Sequence, residues 1–223
     1  MTHPAPPPCP AYGHPPRRVL VTGFGPFPGM PSNPSGRLAR RLGHLARPAL
    51  ADLDIVVRVL PTTWKAIADA PRLLAEVRPD AVLMLGVAGR RTRVCVETRA
   101  LNRAADAPDA TRRHPPGRRL VADAPPLLTT TADALLLTQA LHPVPSALSR
   151  DAGRYLCNAL FFRMLWALKA NPAPVPAVFV HIPAMPRLGR AAHEANLTSA
   201  VGNLLVRLMQ QSRRITPRGT DLP

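Results

Sequence analysis

Two hydrophobic periods alternate along the chain. Val19 to Thr22 is a β-branched run that follows Arg17-Arg18 and stops at Gly23, the pattern of a buried strand. Leu53 to Leu60 predicts a second strand, and Ala81 to Leu85, apolar throughout, a third that is covered on both faces. Val94 and Val96 mark a short extended piece, Ser146 to Ser149 a short strand, and Ala177 to His181 another. Helical spacing falls in between. Asn33-Pro34 reads as an N-cap followed by a first-turn proline, opening a helix to about Ala46 with Leu38, Leu42 and Leu45 on one face. Trp64 to Val77 predicts an amphipathic helix, Thr131 to Leu141 a further one, Leu156 to Lys169 an apolar one, and Gly189 to Gln211 the last. Strands alternating with helices predict a single-domain α/β fold, with a mixed, mostly parallel sheet and helices on both faces.

The intervening segments set the organisation. Residues 1–16 are rich in Pro, Ala and His and read as a disordered arm. Residues 17–213 form the domain, and 214–223 a frayed tail. The Pro- and Arg-rich stretch 103–126 reads as an excursion from the core. Ligands gather at the carboxyl ends of strands in such sheets, which singles out Gly23 to Asn33, Gly86 to Asn102, Ser149 to Asn158 and His181 to Pro186.

Composition narrows the function classes. The apolar fraction of 46% supports a real core, and no apolar run reaches the ~18 residues of a membrane span. The Pro-rich start does not resemble a secretory signal, so the expectation is a soluble, cytoplasmic protein without a membrane partner. The net charge is +16, yet of 29 basic residues only Lys65 and Lys169 are lysines. Scattered arginines with 4% aromatics argue against a nucleic-acid partner, although the arginines of 90–119 keep a polyanion-binding reading open. Cys9, Cys95 and Cys157 show no CxxC spacing and the histidines are dispersed, so neither a disulfide framework nor a metal is expected. Gly23-Phe24-Gly25 has GxGxxxG spacing with Pro26 and Pro28 in the way, which fails as a dinucleotide loop. P-loop, HExxH and GxSxG patterns are absent.

Three residues carry candidate chemistry. Cys157 opens an apolar helix, where the dipole would lower a thiol's pKa and free N–H groups could receive an oxyanion. A small buried hydrophobe would occupy the same place. His181 closes a strand and is either structural or the base a thiol needs. Glu97, one of three glutamates, could orient that imidazole or serve as a salt-bridge partner.

Together these residues resemble pyroglutamyl peptidase I, the pyrrolidone-carboxylate peptidase family of cysteine peptidases, over roughly residues 18–212. Ser149 to Asn158 fits the family's S-x-x-A-G-x-[FY]-x-C-[DN] without a departure. Val21 to Phe27 with Asn33-Pro34 matches TGFxPF…NP, and Val180-His181-Ile182-Pro183 matches the histidine motif. Around the glutamate, Gly86, Gly89, Val94, Glu97, Ala100 and Asn102 stand where expected. There Cys95 replaces a usual Ser/Thr, Thr98 a Lys/Arg, Arg99 an apolar residue and Val87 a frequent Gln.

The resemblance implies a phosphorylase/hydrolase-like fold and an amino-terminal (omega) cysteine peptidase that removes N-terminal pyroglutamate from peptides through a thioester. It assigns Cys157 as nucleophile, His181 as general base and acid, and Glu97 as orienter. Phe24 and Phe27 would sandwich the lactam, with Tyr155 and Leu156 completing the pocket. It implies no cofactor and no metal. An oxyanion arginine of the family has no clear counterpart; Arg91 and Arg103 are the candidates. Family members are often dimers or tetramers, and no homo-oligomer interface is legible in the sequence. The departures admit a second reading, a degenerate or specificity-altered paralogue that binds without cleaving.

Overall fold

The protein is described here as a computed structural model covering residues 16–186 and 188–215, with side chains to residue 212. The expected arm, apart from Pro16, and the expected tail beyond Ile215 lie outside the described residues, as does Cys9. The first half of the chain folds as β1 (Arg17–Phe24), α1 (Pro34–Gly43), β2 (Leu53–Leu60), α2 (Trp64–Asp69), α3 (Arg72–Val77), β3 (Ala81–Val87), β4 (Val94–Glu97) and β5 (Arg99–Leu101). The second half adds β6 (Leu127–Thr129), α4 (Ala134–Gln139), β7 (Ser146–Ser149), α5 (Leu156–Leu168), β8 (Ala177–Ile182) and α6 (Arg190–Ile215).

The main sheet runs in the order β2-β1-β3-β8-β4-β7. The first four strands are mutually parallel, β4 is antiparallel to β8, and β7 is parallel to β4. Side chains alternate between faces along a strand, so the sheet divides two cores. Leu20, Met84 and Phe179 pack with α2, α3 and α5 on one face. Val21, Leu83, Leu85, Val178 and Val180 pack with α1, α4 and α6 on the other. This is the expected mixed, mostly parallel α/β layering, and it is why β3 and β8 are apolar at nearly every position. Among the described residues no helix is long and apolar enough to cross a membrane.

Three helical expectations change. The helix predicted over 64–77 is two, because Pro71 lacks the N–H that would continue the ladder; α2 ends at Asp69 and α3 starts at Arg72. The helix predicted from Thr131 starts at Ala134. The Thr131 hydroxyl is instead turned to Val175 O (2.7 Å), and Asp133 caps the helix by accepting from the amides of Leu135 and Leu136. The first helix stops at Gly43 rather than near Ala46. The small antiparallel pair of β5 with β6 has no counterpart in the sequence reading. Each strand is only 3 residues long, too short for a period to declare itself.

The loop after β1 is fixed by Asn33. Its Oδ1 accepts from the Ser35 amide (3.1 Å) and the Ser35 hydroxyl (2.8 Å), and its Nδ2 donates to Gly25 O (3.0 Å). The β1 and α1 backbones also touch: a Cβ on Gly36 would lie 2.4 Å from Phe24 O. Asn33→Ala should therefore destabilise the protein by about 1–3 kcal/mol, as expected for losing a cap and a buried hydrogen bond. Thermal unfolding would read this as a fall of several degrees; an unchanged midpoint would show that the loop does not depend on Asn33.

Candidate active site

Strand register brings the candidate residues to one face. On β8, Ala177, Phe179 and His181 share the α5 side, while Val178, Val180 and Ile182 face the other core. On β4, Val94 and Val96 belong to that other core, which turns Cys95 and Glu97 towards His181. The antiparallel register places Cys95 opposite His181 and Glu97 opposite Phe179. On the other flank of β8, Gly86 of β3 stands opposite His181.

His181 Nδ1 lies 2.7 Å from Glu97 Oε1. Glu97 is fully buried and His181 is 5% exposed. The same Glu97 oxygen accepts from Arg91 Nη1 at 2.7 Å, and that nitrogen also reaches the Ser149 hydroxyl at 3.1 Å. Oε2 is buried without a hydrogen-bond partner. Burial alone would raise the Glu97 carboxyl. Contacts to the His181 and Ser149 side chains and the charges of His181 and Arg91 outweigh it and hold the group below the usual glutamate range. Glu97 is therefore an anion at neutral pH and can only accept. Nδ1 of His181 then carries the proton, and Nε2 keeps the lone pair a general base uses.

Cys157 sits at the second position of α5, after Tyr155 in an extended conformation with no side-chain cap. The first amides of α5 therefore lack intrahelical partners and lie in the same turn as the Cys157 thiol. A Cβ built on Gly86 would come within 2.9 Å of Cys157 Sγ and 2.7 Å of Phe179 Cζ. The thiol thus lies over Gly86, one strand spacing from His181, on the face that His181 and Glu97 share. The expected depression of the thiol pKa is not found. Burial pushes Cys157 up to about 12, the Glu97 charge adds to the rise, and a backbone hydrogen bond at the helix start offsets it in part. Sequence reasoning weighed the helix terminus and not the partly buried, carboxylate-flanked setting.

The remaining candidates occupy different surroundings. Phe24 is 3% exposed and Leu156 1%, both in the core under α5. Phe27 is 37% exposed in a tight turn whose backbone pairs with Met30. Tyr155 stands edge-on to Trp64 at 5.4 Å between ring centroids, and its hydroxyl donates to Pro108 O at 2.7 Å. Phe24, Leu156 and Tyr155 thus meet in one cluster, while Phe27 stays at the surface. Of the two oxyanion candidates, Arg91 is engaged by Glu97, Ser149 and the Asp151 carbonyl. Arg103 is exposed.

Two positioning residues were not recognised as such from sequence, where Arg91 was a candidate oxyanion donor and Asn158 carried no role. Arg91 anchors Glu97. Asn158, beside Cys157, is fully buried; its amide accepts from Leu101 N (2.8 Å) and donates to Leu101 O (2.9 Å) and Arg103 O (3.0 Å). A lone amide in an apolar helix was the available signal, since such a group survives burial only with partners. No group of three or more His, Cys, Asp or Glu among the described residues could hold a metal ion.

A thiol at an open helix start, with a carboxylate-oriented imidazole one strand away, suits acyl transfer, so fold and site together define an α/β cysteine hydrolase. Comparison with known proteins takes this further. Residues 17–211 match the family described as pyroglutamyl peptidase, and the chain belongs to that family. A pyrrolidone-carboxylate peptidase of Thermococcus onnurineus is 32% identical over 74% of this chain and 83% of its own. Pyrrolidone-carboxylate peptidase 1 of Ralstonia nicotianae is 35% identical over 75% of this chain and 79% of its own. The crystal structure of pyroglutamyl peptidase I from Bacillus amyloliquefaciens superposes with a TM-score of 0.77 at 27% identity, covering 88% of this chain and 98% of that one.

Two outcomes test the site's geometry. Alkylation of Cys157 by iodoacetamide, read by peptide mass spectrometry without substrate, should climb steadily between about pH 7 and 10. A plateau near neutrality would instead mean a stabilised thiolate. Gly86→Ala should force the Phe179 ring or the thiol aside at a cost of about 1–3 kcal/mol; a lower unfolding midpoint with altered Cys157 alkylation is expected, and wild-type values for both would contradict the packing described.

Proposed function

We propose that the protein removes N-terminal pyroglutamate from peptides, with Cys157 as nucleophile, His181 as general base and acid, and Glu97 as orienter. The observation that carries this is the buried His181–Glu97 pair at 2.7 Å on the sheet face overlain by Cys157, in a chain of the pyroglutamyl peptidase family. Partial burial and the Glu97 charge push the thiol pKa up, so the proposed mechanism does not rely on a preformed thiolate. Instead His181 Nε2 takes the thiol proton as Sγ attacks the pyroglutamyl carbonyl carbon. The carbonyl oxygen becomes an oxyanion held by the open amides of α5, and Glu97 stabilises the imidazolium.

Collapse of the intermediate breaks the C–N bond. His181 returns its proton to the departing amine, leaving a thioester on Cys157. Water, deprotonated by His181, attacks the thioester and releases pyroglutamate. Phe24 and Leu156 form the apolar floor for the lactam, Tyr155 lines its side, and exposed Phe27 closes over it once substrate is bound. Arg103 is the remaining side-chain candidate for the oxyanion. A nucleophilic thiol with Cys95 and Cys157 both free suits a reducing compartment, so we place the protein in the cytoplasm.

The test is release of aminomethylcoumarin from its pyroglutamyl amide under reductant, with the prolyl amide as control. Wild type should cleave the first and not the second. Cys157→Ala should abolish turnover, and Glu97→Gln should lower kcat by about 10²–10⁴. A folded wild type without turnover, or undiminished activity in Cys157→Ala, would overturn the proposal.

A further inference from the structure

Resting on the peptidase reading, we propose that the mouth of the Cys157 site selects peptides whose leaving segment carries a carboxylate close to the scissile bond. The carboxylate would come from an acidic side chain or from the C-terminus of a short peptide.

The mouth has two walls. The first is the segment 149–155, which leads into α5. It is pinned by the Thr98 amide on Ser149 O (2.7 Å), by Arg99 Nε on Arg150 O (2.7 Å) and by the Ala105 amide on Arg154 O (2.6 Å). The second is the stretch 103–113. It runs from Arg103, whose carbonyl accepts from Asn158 beside the nucleophile, past Ala107 and Pro108, which accept from Trp64 and Tyr155. It then reaches Ala110, whose amide donates to Thr62 O (3.1 Å). The Thr62 hydroxyl in turn holds Gly25 O (3.0 Å), next to Phe24. These walls span the ground between the nucleophile and the proposed lactam loop, so the rest of a bound peptide must leave between or over them.

Their charges are unbalanced. Arg103, Arg112, Arg113, Arg150 and Arg154 are exposed, and no ion pair or side-chain hydrogen bond joins their guanidinium groups to another described residue. The carboxylates on the same walls are fewer, and each already accepts a hydrogen bond within the chain, although Asp106 and Asp151 are themselves exposed. Asp109 accepts from the amides of Trp64, Thr111 and Arg113 and from the Thr111 hydroxyl. Asp106 pairs with His114, and Asp151 accepts from the Gly153 amide. The walls therefore offer outward guanidiniums, which suit carboxylates through paired N–H donors. A nucleic acid fits less well, since the nearby rings of Trp64 and Tyr155 pack on each other rather than standing open for bases.

The experiment compares four substrates by pyroglutamate release at low salt: pyroglutamyl-alanine amide, pyroglutamyl-alanine with a free carboxylate, pyroglutamyl-glutamate amide and pyroglutamyl-lysine amide. Exposed charge pairs should raise kcat/KM for at least one carboxylate-bearing substrate about three- to tenfold over the alanine amide, mainly through KM. The lysine amide should fall below it, and all ratios should approach one at high salt. A preference confined to the glutamate amide identifies the side chain as the source; one confined to the free acid identifies the C-terminus. In Arg150→Glu/Arg154→Glu the glutamate-to-lysine ratio should reverse, and that ratio is the readout rather than the absolute rate.

Cleavage of all four at rates within twofold, or a ratio untouched by the double variant, overturns this inference and leaves the peptidase reading intact. Inhibition by single-stranded DNA without any preference among the peptides overturns it in favour of a polyanion surface. Failure to cleave any of the four by folded protein removes the peptidase reading and this inference with it.

Discussion

A fully buried carboxylate at the end of β4 is the constraint around which the site is built. Taking a charge out of water costs several kcal/mol unless partners replace the hydration, and Glu97 has two, His181 and Arg91, on one oxygen. The contact with His181 fixes the tautomer of the imidazole. The second ties the carboxylate to Ser149 and to the Asp151 carbonyl, the start of the segment that delivers Cys157. One network therefore joins β4, β8 and the entrance to α5, and the relative placement of the three candidate residues follows from it. Removing one partner of such a buried pair typically costs about 3–5 kcal/mol, so architecture and chemistry depend on the same contacts.

The resting nucleophile is shaped by the same burial. Packing Cys157 against Gly86 and Phe179 leaves it only partly exposed, and the lost hydration favours the neutral thiol. A neutral thiol resists adventitious oxidation better than a thiolate does. In the proposed mechanism, attack requires the proton to pass to His181 as the substrate carbonyl arrives, which couples activation to occupancy. Phe24 and Leu156 are sealed into the core, whereas the arginines of the flanking segments are exposed.

Legibility varied with the reach of the interaction involved. β2 and β7 carry the residue ranges their patterns predict, because alternation and β-branching are local properties. Asn33-Pro34 opens α1 as expected, since capping involves neighbours in the chain. The single helix expected over 64–77 ignored the breaking power of Pro71. β5 and β6 went unseen because their pairing crosses the 103–126 excursion. Arg91 was considered as an oxyanion donor, but its place beside Glu97 depends on how β4 and the Ser149 segment meet, which no spacing encodes.

What the sequence determined by itself is the set of parts: alternating strands and helices, a thiol at a helix start, a histidine after a strand, a glutamate among alternating apolar residues, and motifs resembling one peptidase family. Local periodicity and residue chemistry suffice for that. Tertiary structure alone decided which face of the sheet they share, because a one-residue change of register would turn Glu97 away from His181. It also decided the direction in which the Cys157 thiol and Glu97 carboxyl are shifted, because desolvation depends on everything packed around a group and not on the residues beside it in the chain.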